Sequence, residues 1–237
     1  MKFPPTAEKA RISEIFSSLQ GEGTHAGERH LFIRFEECHI HCKYCDELGK
    51  PGFEKELSSL VREILQVEAQ EGPHRFISYT GGEPLIYLRF LKPLMTALRA
   101  KGFKNYLETD GILAPALEQV LELCDCVAMD MKPSSVTGEK SFETEHEQFL
   151  KLARSKETFV KIVLSKEIFI PEFESLISIV ARTAPETPVI LQPLSGTCEG
   201  HEDADLMKLL GELQTLALRQ IKDVRILPRL HRILKIR

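Results

Sequence analysis

A chain of 237 residues, with 43% apolar and 28% charged side chains, has the balance of a globular protein large enough to bury a real core, which excludes an extended or disordered polymer. A formal net charge of −4 supplies no basic field for nucleic acid or acidic lipid, and no run approaches the roughly 20 apolar residues of a bilayer span. The start, "MKFPPTAEKARISEIF", has no apolar signal-peptide core, so a cytoplasmic chain without direct nucleic-acid or membrane partners is expected, and in that reducing compartment its six cysteines point to metal binding or chemistry.

Short apolar, β-branched runs predict strands at Leu31–Phe35, Arg75–Tyr79, Asn105–Thr109, Cys126–Asp130, Phe159–Leu164, Val189–Gln192 and Val224–Leu227. Between them, Leu57, Leu60, Val61, Ile64 and Leu65 recur at helical spacing, as do Leu91, Leu94, Met95 and Leu98. Phe142–Ala153, Glu172–Ala181 and Asp203–Leu218 also predict helices. This alternation implies βα units around a mostly parallel sheet, either doubly wound or an open barrel. No linker marks a boundary, so residues 1–237 are expected to form a single domain. Sites in such folds gather where strands end, and the polar clusters "CHIHCKYCD", "TGGEP", "ETDG", "DMK" and "QPLSG" each follow a predicted strand.

The stretch "ECHIHCKYCDE" spaces Cys38, Cys42 and Cys45 as C-x3-C-x2-C. Three inert buried thiols would be unusual at this density. Zinc is one reading, with His39, His41 or Asp46 as the fourth ligand of a tetrahedral site. A [4Fe–4S] cluster is another, three thiolates leaving one iron open to a ligand. Spacing alone does not choose between them. In "TGGEP", Gly81 and Gly82 allow positive φ and close backbone approach, although an ordinary β-to-α turn accounts for that pentapeptide taken by itself.

The cysteine spacing, an aromatic Tyr44 before the last cysteine and "TGGEP" after the next strand together resemble the radical S-adenosylmethionine (SAM) enzymes. The resemblance implies a [4Fe–4S] cluster on Cys38, Cys42 and Cys45, with SAM on the open iron. One-electron cleavage of SAM then gives a 5′-deoxyadenosyl radical that abstracts a substrate hydrogen. Tyr44, Gly81 and Gly82 would lie against SAM, and Glu83 would accept hydrogen bonds from its ammonium.

Further, "IFSSLQGEGTHAGERHLFIRFEEC", "CKYCD", "TGGEP", "LETDG", "KIVL", "LQPLSG" and "VRILPRLH" resemble, in order, the 7-carboxy-7-deazaguanine synthases, over roughly Ile12 to His231. That family implies a partial (β/α)6 open barrel, often paired as a homodimer. It implies conversion of 6-carboxy-5,6,7,8-tetrahydropterin to 7-carboxy-7-deazaguanine with loss of ammonia, for queuosine and other deazapurines. Mg²⁺ and a flavodoxin- or ferredoxin-type reductant would support the reaction. Carried over by position, Gln20, Glu22, Thr80, Gln192 and His231 would contact the pterin, and Arg34 its carboxylate, unless Arg34 forms a structural ion pair with Glu36 or Glu14. Glu108, Asp130 and Lys132 would meet SAM, and Glu47 would hold Mg²⁺.

Several residues depart from the family pattern. Glu36 and Glu37 stand where a small pair usually precedes the first cysteine, and two carboxylates there would repel an anionic cluster unless they face away. Glu47 stands where Thr or Ser is usual, in a compact loop, "ELGKPGFEKE", expected to influence which reductant docks. Asp130-Met131-Lys132 resembles glycyl-radical-enzyme activases, which keeps such an activase as a second enzyme reading; an ion pair closing the strand explains it as well. A zinc-stabilised binding module is the non-enzymatic alternative.

Overall fold

The computed structural model describes residues 9–194 and 203–236. Strands β1 (Ala10–Leu19), β2 (Arg29–Phe35), β3 (Phe53–Lys55), β4 (Phe76–Gly81), β5 (Asn105–Thr109), β6 (Cys126–Met131), β7 (Glu157–Leu164), β8 (Val189–Pro193) and β9 (Val224–Ile226) form one open sheet in the order β3-β1-β2-β4-β5-β6-β7-β8-β9. From β2 onward every neighbouring pair is parallel, while β1 runs antiparallel to both β2 and β3. Helices α1 (Leu57–Glu71), α2 (Leu88–Arg99), α3 (Ala114–Val120), α4 (Ser134–Thr137), α5 (Glu143–Ala153), α6 (Ile170–Thr183), α7 (Ala204–Ala217) and α8 (Leu230–Ile233) fall between or after the strands. The mostly parallel, unclosed sheet is the architecture expected from the βα alternation. Among the described residues no helix is long and apolar enough to cross a membrane.

The helices form because their apolar residues recur on one face, and that face is buried. In α2, Phe90, Leu91, Leu94, Met95 and Leu98 are buried against the sheet, and in α1 Leu57, Leu60, Val61 and Ile64 are. All seven predicted strands are present. Two strands escape prediction. β1 carries a register irregularity between Ile12 and Glu14, which breaks the alternation that marks a strand. β3 is three residues long with Phe53 exposed, and only its pairing to β1 makes it a strand.

At the N-terminal ends of the parallel strands, Phe76, Tyr106, Cys126, Ala128, Phe159 and Ile190 form a second apolar cluster. The turn after β1 plugs this end. Gly23, at φ +69°, sits so close to Phe159 that a Cβ there would lie 2.1 Å from its ring. His25 follows, buried between Glu28 and Glu157 at 2.9 Å each and edge-on to Phe76 and Tyr106. Glu28 also pairs with Arg75 at 3.0 Å, so this group is an ion-pair network closing the floor. The opposite end, where the strands finish, is left open.

Two buried histidines give the fold a pH dependence. Burial depresses His30, bonded to Ser78 Oγ at 2.7 Å, and His146, which donates to the Asp110 carbonyl at 3.1 Å, from 6.5 to about 4 each. Between those values the unfolded chain holds protons that the native chain does not, so stability rises with pH. Denaturant unfolding should show stability falling below pH 6.5 by up to ~1.4 kcal/mol per pH unit for each histidine. In His30→Asn that slope should be smaller by one histidine's share; an unchanged slope would show that His30 is not neutral in the native state.

Candidate active site

A cavity of about 450 Å³ opens where the parallel strands end. Thr80 and Gly81 from β4, Glu108 and Thr109 from β5, Asp130 from β6, Lys161 and Val163 from β7, and Gln192 and Pro193 from β8 all line it. The loops after β1 and β2 and the segment from Arg229 to Ile236 complete the wall.

The cysteine loop is held by the backbone of the glycine turn. Gly82 N–H donates to the Phe35 carbonyl at 2.8 Å and Glu83 N–H to the Glu37 carbonyl at 2.7 Å. Side chains cannot fit between these chains. A Cβ on Gly81, at φ +111°, would lie 2.2 Å from Phe35 O, and one on Gly82 would lie 1.9 Å from Glu37 O. Further along, His41 N–H donates to the Glu139 carboxylate at 2.6 Å and Lys43 N–H to the Thr137 carbonyl at 2.9 Å.

Cys38, Cys42 and Cys45 all face the cavity, respectively half-buried, buried and exposed. Burial pushes the Cys38 thiol up to about 12 and Cys42 up to about 11, so metal must displace their protons on binding. Cys124 and Cys126 are buried away from the cavity, and Cys198 lies outside the described residues.

Deeper in, buried charges are matched in a row. Glu22 pairs with Lys161, Lys161 with Asp130 at 3.1 Å, and Asp130 with Lys132 at 2.8 Å. Burial alone would raise the carboxyls of Glu22 and Asp130. The neighbouring ammonium groups outweigh it, and both shift down. Beside them Glu108 accepts from Gln20 Nε2 at 2.8 Å and Thr80 Oγ1 at 2.5 Å, and burial with the Glu22 charge raises its carboxyl. Lys132 Nζ also lies 5.8 Å from the Tyr44 ring centre. Several buried polar atoms on cavity residues make no hydrogen bond within the protein: Tyr44 Oη, Glu47 Oε2, Asp130 Oδ1, Gln192 Oε1, and Arg34 Nε, which meets Glu14 only as an ion pair at 3.6 Å. Buried polar atoms of this kind are ordinarily satisfied by water or by a bound group.

Of the residues singled out in the sequence, the structure brings Gln20, Glu22, Arg34, Tyr44, Glu47, Thr80, Gly81, Gly82, Glu108, Asp130, Lys132, Gln192 and His231 to this cavity with the three cysteines. His39 and His41, offered as a zinc's fourth ligand, do not line it, and neither does Glu83. Its carboxylate is fully buried and accepts from Leu85 N–H at 2.9 Å, Asp110 N–H at 2.8 Å and Thr109 Oγ1 at 3.0 Å. It braces the turn against β5 instead of facing a ligand's ammonium, because its oxygens are already occupied by local donors. Glu36 ion-pairs with Arg11 on β1, and neither Glu36 nor Glu37 lines the cavity, so the expected repulsion does not arise. Arg34 pairs not with Glu36 but with Glu47 at 3.0 Å and Glu14 at 3.6 Å. Glu47, the residue expected to hold Mg²⁺, also meets Lys50 at 2.8 Å, so two cationic side chains face one of its carboxylate oxygens.

Other cavity residues went unremarked in the sequence. Lys161 was visible as a charge inside the apolar run "FVKIVL". The clamp of Arg229 and Arg232 on Asp46, at 2.8 and 2.6 Å, had no local signal, since its partners are far apart in the chain. Burial would raise Asp46, but the two guanidinium groups hold it down at about 2.

The radical SAM superfamily profile matches residues 32–165. A 7-carboxy-7-deazaguanine synthase of Geobacter sulfurreducens is 35% identical over 94% of this chain and 96% of its own. The protein of that name from Methanopyrus kandleri is 33% identical over 94% and 92%. The chain belongs to the 7-carboxy-7-deazaguanine synthase family of radical SAM enzymes. In fold it is similar to Escherichia coli QueE, with a TM-score of 0.64 at 23% identity over 94% of this chain and 95% of that one. Membership implies a [4Fe–4S] cluster and SAM, and the thiols, the unpartnered polar atoms and the side-chain-free glycine turn of this synthase-family site suit both.

Replacing Cys38, Cys42 or Cys45 by Ala should each reduce iron from about four per chain to near none. The same change at Cys124, Cys126 or Cys198 should leave it intact; iron loss in that second set would reassign the ligands. Gly82→Ala should give a folded chain that loses most of its cluster, because the Glu37 carbonyl must move; iron content and circular dichroism together check this.

Proposed function

We propose that this chain converts 6-carboxy-5,6,7,8-tetrahydropterin to 7-carboxy-7-deazaguanine with loss of ammonia, in the supply of queuosine or another deazapurine. The observation that carries it is the convergence of the three cysteines, the glycine turn and the unpartnered polar atoms on one cavity. When bound, the cluster and SAM supply one-electron chemistry leading to hydrogen abstraction from the substrate. Everything else falls to side chains.

Cys38, Cys42 and Cys45 hold the cluster on the cavity rim. Tyr44, Gly81, Gly82, Glu108, Asp130 and Lys132 form the SAM side. The unpartnered Asp130 Oδ1 is an acceptor for ammonium or hydroxyl groups, and its other oxygen is pinned by Lys132 and Lys161, which fixes its direction. Glu83 acts at one remove, keeping the turn in place. Gln20, Glu22, Thr80, Arg34, Gln192 and His231 form the substrate side. The unpartnered Gln192 Oε1 suits an exocyclic amino group, and the Arg34 guanidinium suits a carboxylate. Reducing equivalents come from a flavodoxin- or ferredoxin-type protein, the chain works in the cytoplasm as one domain over residues 1–237, and two copies pair as a homodimer.

Anaerobic incubation with reductant, SAM and the carboxytetrahydropterin, followed by mass detection of the deazaguanine, tests the reading. A brown protein that cleaves SAM but forms no deazaguanine would move it to another radical SAM reaction, such as glycyl-radical activation. A colourless protein with one zinc would leave only a binding module. Arg34→Lys should raise KM for the pterin about tenfold, equivalent to ~1.4 kcal/mol and close to the loss of one charge-assisted hydrogen bond, while SAM cleavage without substrate continues. An unchanged KM would remove Arg34 from the substrate site.

A further inference from the structure

The residues around Glu47 do not fit a divalent ion. Mg²⁺ seeks oxygen ligands in near-octahedral array. Glu47 Oε1 already faces Lys50 at 2.8 Å and Arg34 at 3.0 Å. The adjacent Asp46 is held by Arg229 and Arg232, and Glu14 by Arg34. Four cationic side chains, Arg34, Lys50, Arg229 and Arg232, thus stand against three carboxylates, Glu14, Asp46 and Glu47. An added dication would enter a wall that is net positive before it arrives.

That wall still has two unmet demands. Arg34 Nε is a buried donor that meets Glu14 only as an ion pair at 3.6 Å, too long for a hydrogen bond, and Glu47 Oε2 is a buried acceptor without a hydrogen-bond partner. Both residues line the cavity, and Lys50 lines it with them. A ligand carrying an anionic group beside an N–H meets both demands at once. The anion accepts from Arg34 Nε within the field of Lys50, and the N–H donates to Glu47 Oε2.

We propose that this enzyme positions its substrate without a divalent metal ion. Lys50 and Arg34 supply the positive charge, and Glu47 serves both as their fixed counter-ion and as acceptor for a substrate ring N–H. This rests on the function proposed above, since it takes the substrate to be a carboxylated N-heterocycle. The device is also local: Glu47 and Lys50 are three residues apart in one loop, so a change at position 47 alone leaves the cationic partner in place.

Mn²⁺ is the probe, because it occupies hard oxygen sites and is readily counted. Equilibrium dialysis of the cluster-loaded protein against Mn²⁺, with SAM and with or without the deazaguanine product, should show no saturable site. Deazaguanine formation should be the same after exhaustive chelation and with added Mg²⁺. Lys50→Gln should raise KM for the pterin about tenfold, with no rescue by Mg²⁺. Glu47→Thr, which removes the counter-ion, should also raise KM. One Mn²⁺ per chain bound saturably by the parent would overturn the proposal. So would loss of deazaguanine formation on chelation while SAM cleavage persists, or an unaltered KM in Lys50→Gln. If no deazaguanine forms with or without metal, the proposed function has failed, and the dialysis alone decides whether the wall binds a divalent ion.

Discussion

The site rests on a closed ring of contacts around the first cysteine. Glu83 N–H donates to the Glu37 carbonyl, one residue before Cys38. The Glu83 carboxylate accepts from the Asp110 N–H at 2.8 Å. The Asp110 carboxylate bonds His39 Nε2 at 2.6 Å, one residue after Cys38. The ring links the loop after β2, the turn after β4 and the end of β5, so the position of the metal-ligating loop is set by the parallel sheet itself. Burial together with the Asp110 charge raises the Glu83 carboxyl well above the usual range, and the donors of Leu85, Thr109 and Asp110 oppose that rise. An unmet carboxyl buried in this way would cost a few kcal/mol, which is why the local donors, once present, determine where it points.

The charges beneath the ring have a different purpose. A buried ion pair adds little net stability, because desolvation offsets most of the Coulomb gain, whereas removing one partner costs about 3–5 kcal/mol. The row Glu22, Lys161, Asp130, Lys132 alternates in sign, so no member is left uncompensated. Its effect is on geometry. Each carboxylate is fixed on one side by an ammonium group, and Asp130 keeps an unpartnered oxygen. Groups held in this way need little reorganisation when a ligand arrives.

The sequence showed the parallel strands because each is a compact, largely apolar run, most of them buried on both faces, and it showed the cysteines because ligand spacing within a loop is local. It did not show β1 or β3, whose strand character depends on pairing with each other and with β2. For side chains the same division holds. That Gly81 and Gly82 must lack a Cβ follows from their neighbours' carbonyls, yet the residue type alone suggested it. The orientation of Glu83 could not be read in advance, because a glutamate beside a glycine turn can face the cavity or the next strand, and the donors that decide it, Thr109 and Asp110, lie 26 and 27 residues on. Glu47 was legible as an anomaly. Its surroundings depend on Arg34, on the strand that leads into its loop, which pairs with it at 3.0 Å.

The C-terminal segment closes the same cavity from the other side. Leu230 N–H donates to the Gly21 carbonyl at 2.8 Å, and His231 lies so close that a Cβ on Gly21 would sit 2.0 Å from its Nδ1. Arg229 and Arg232 meanwhile hold Asp46, the residue next to Cys45. The loop after β1, the cysteine loop and the chain's last helix are thereby joined across the opening of an unclosed sheet. Chemistry that runs through a reactive radical needs bulk water and stray hydrogen donors kept out of reach. An open barrel cannot provide that with its strands alone, and the glycine in "LQGEG" and the arginines of "PRLHR" supply the missing wall by letting two distant parts of the chain come into contact over the site.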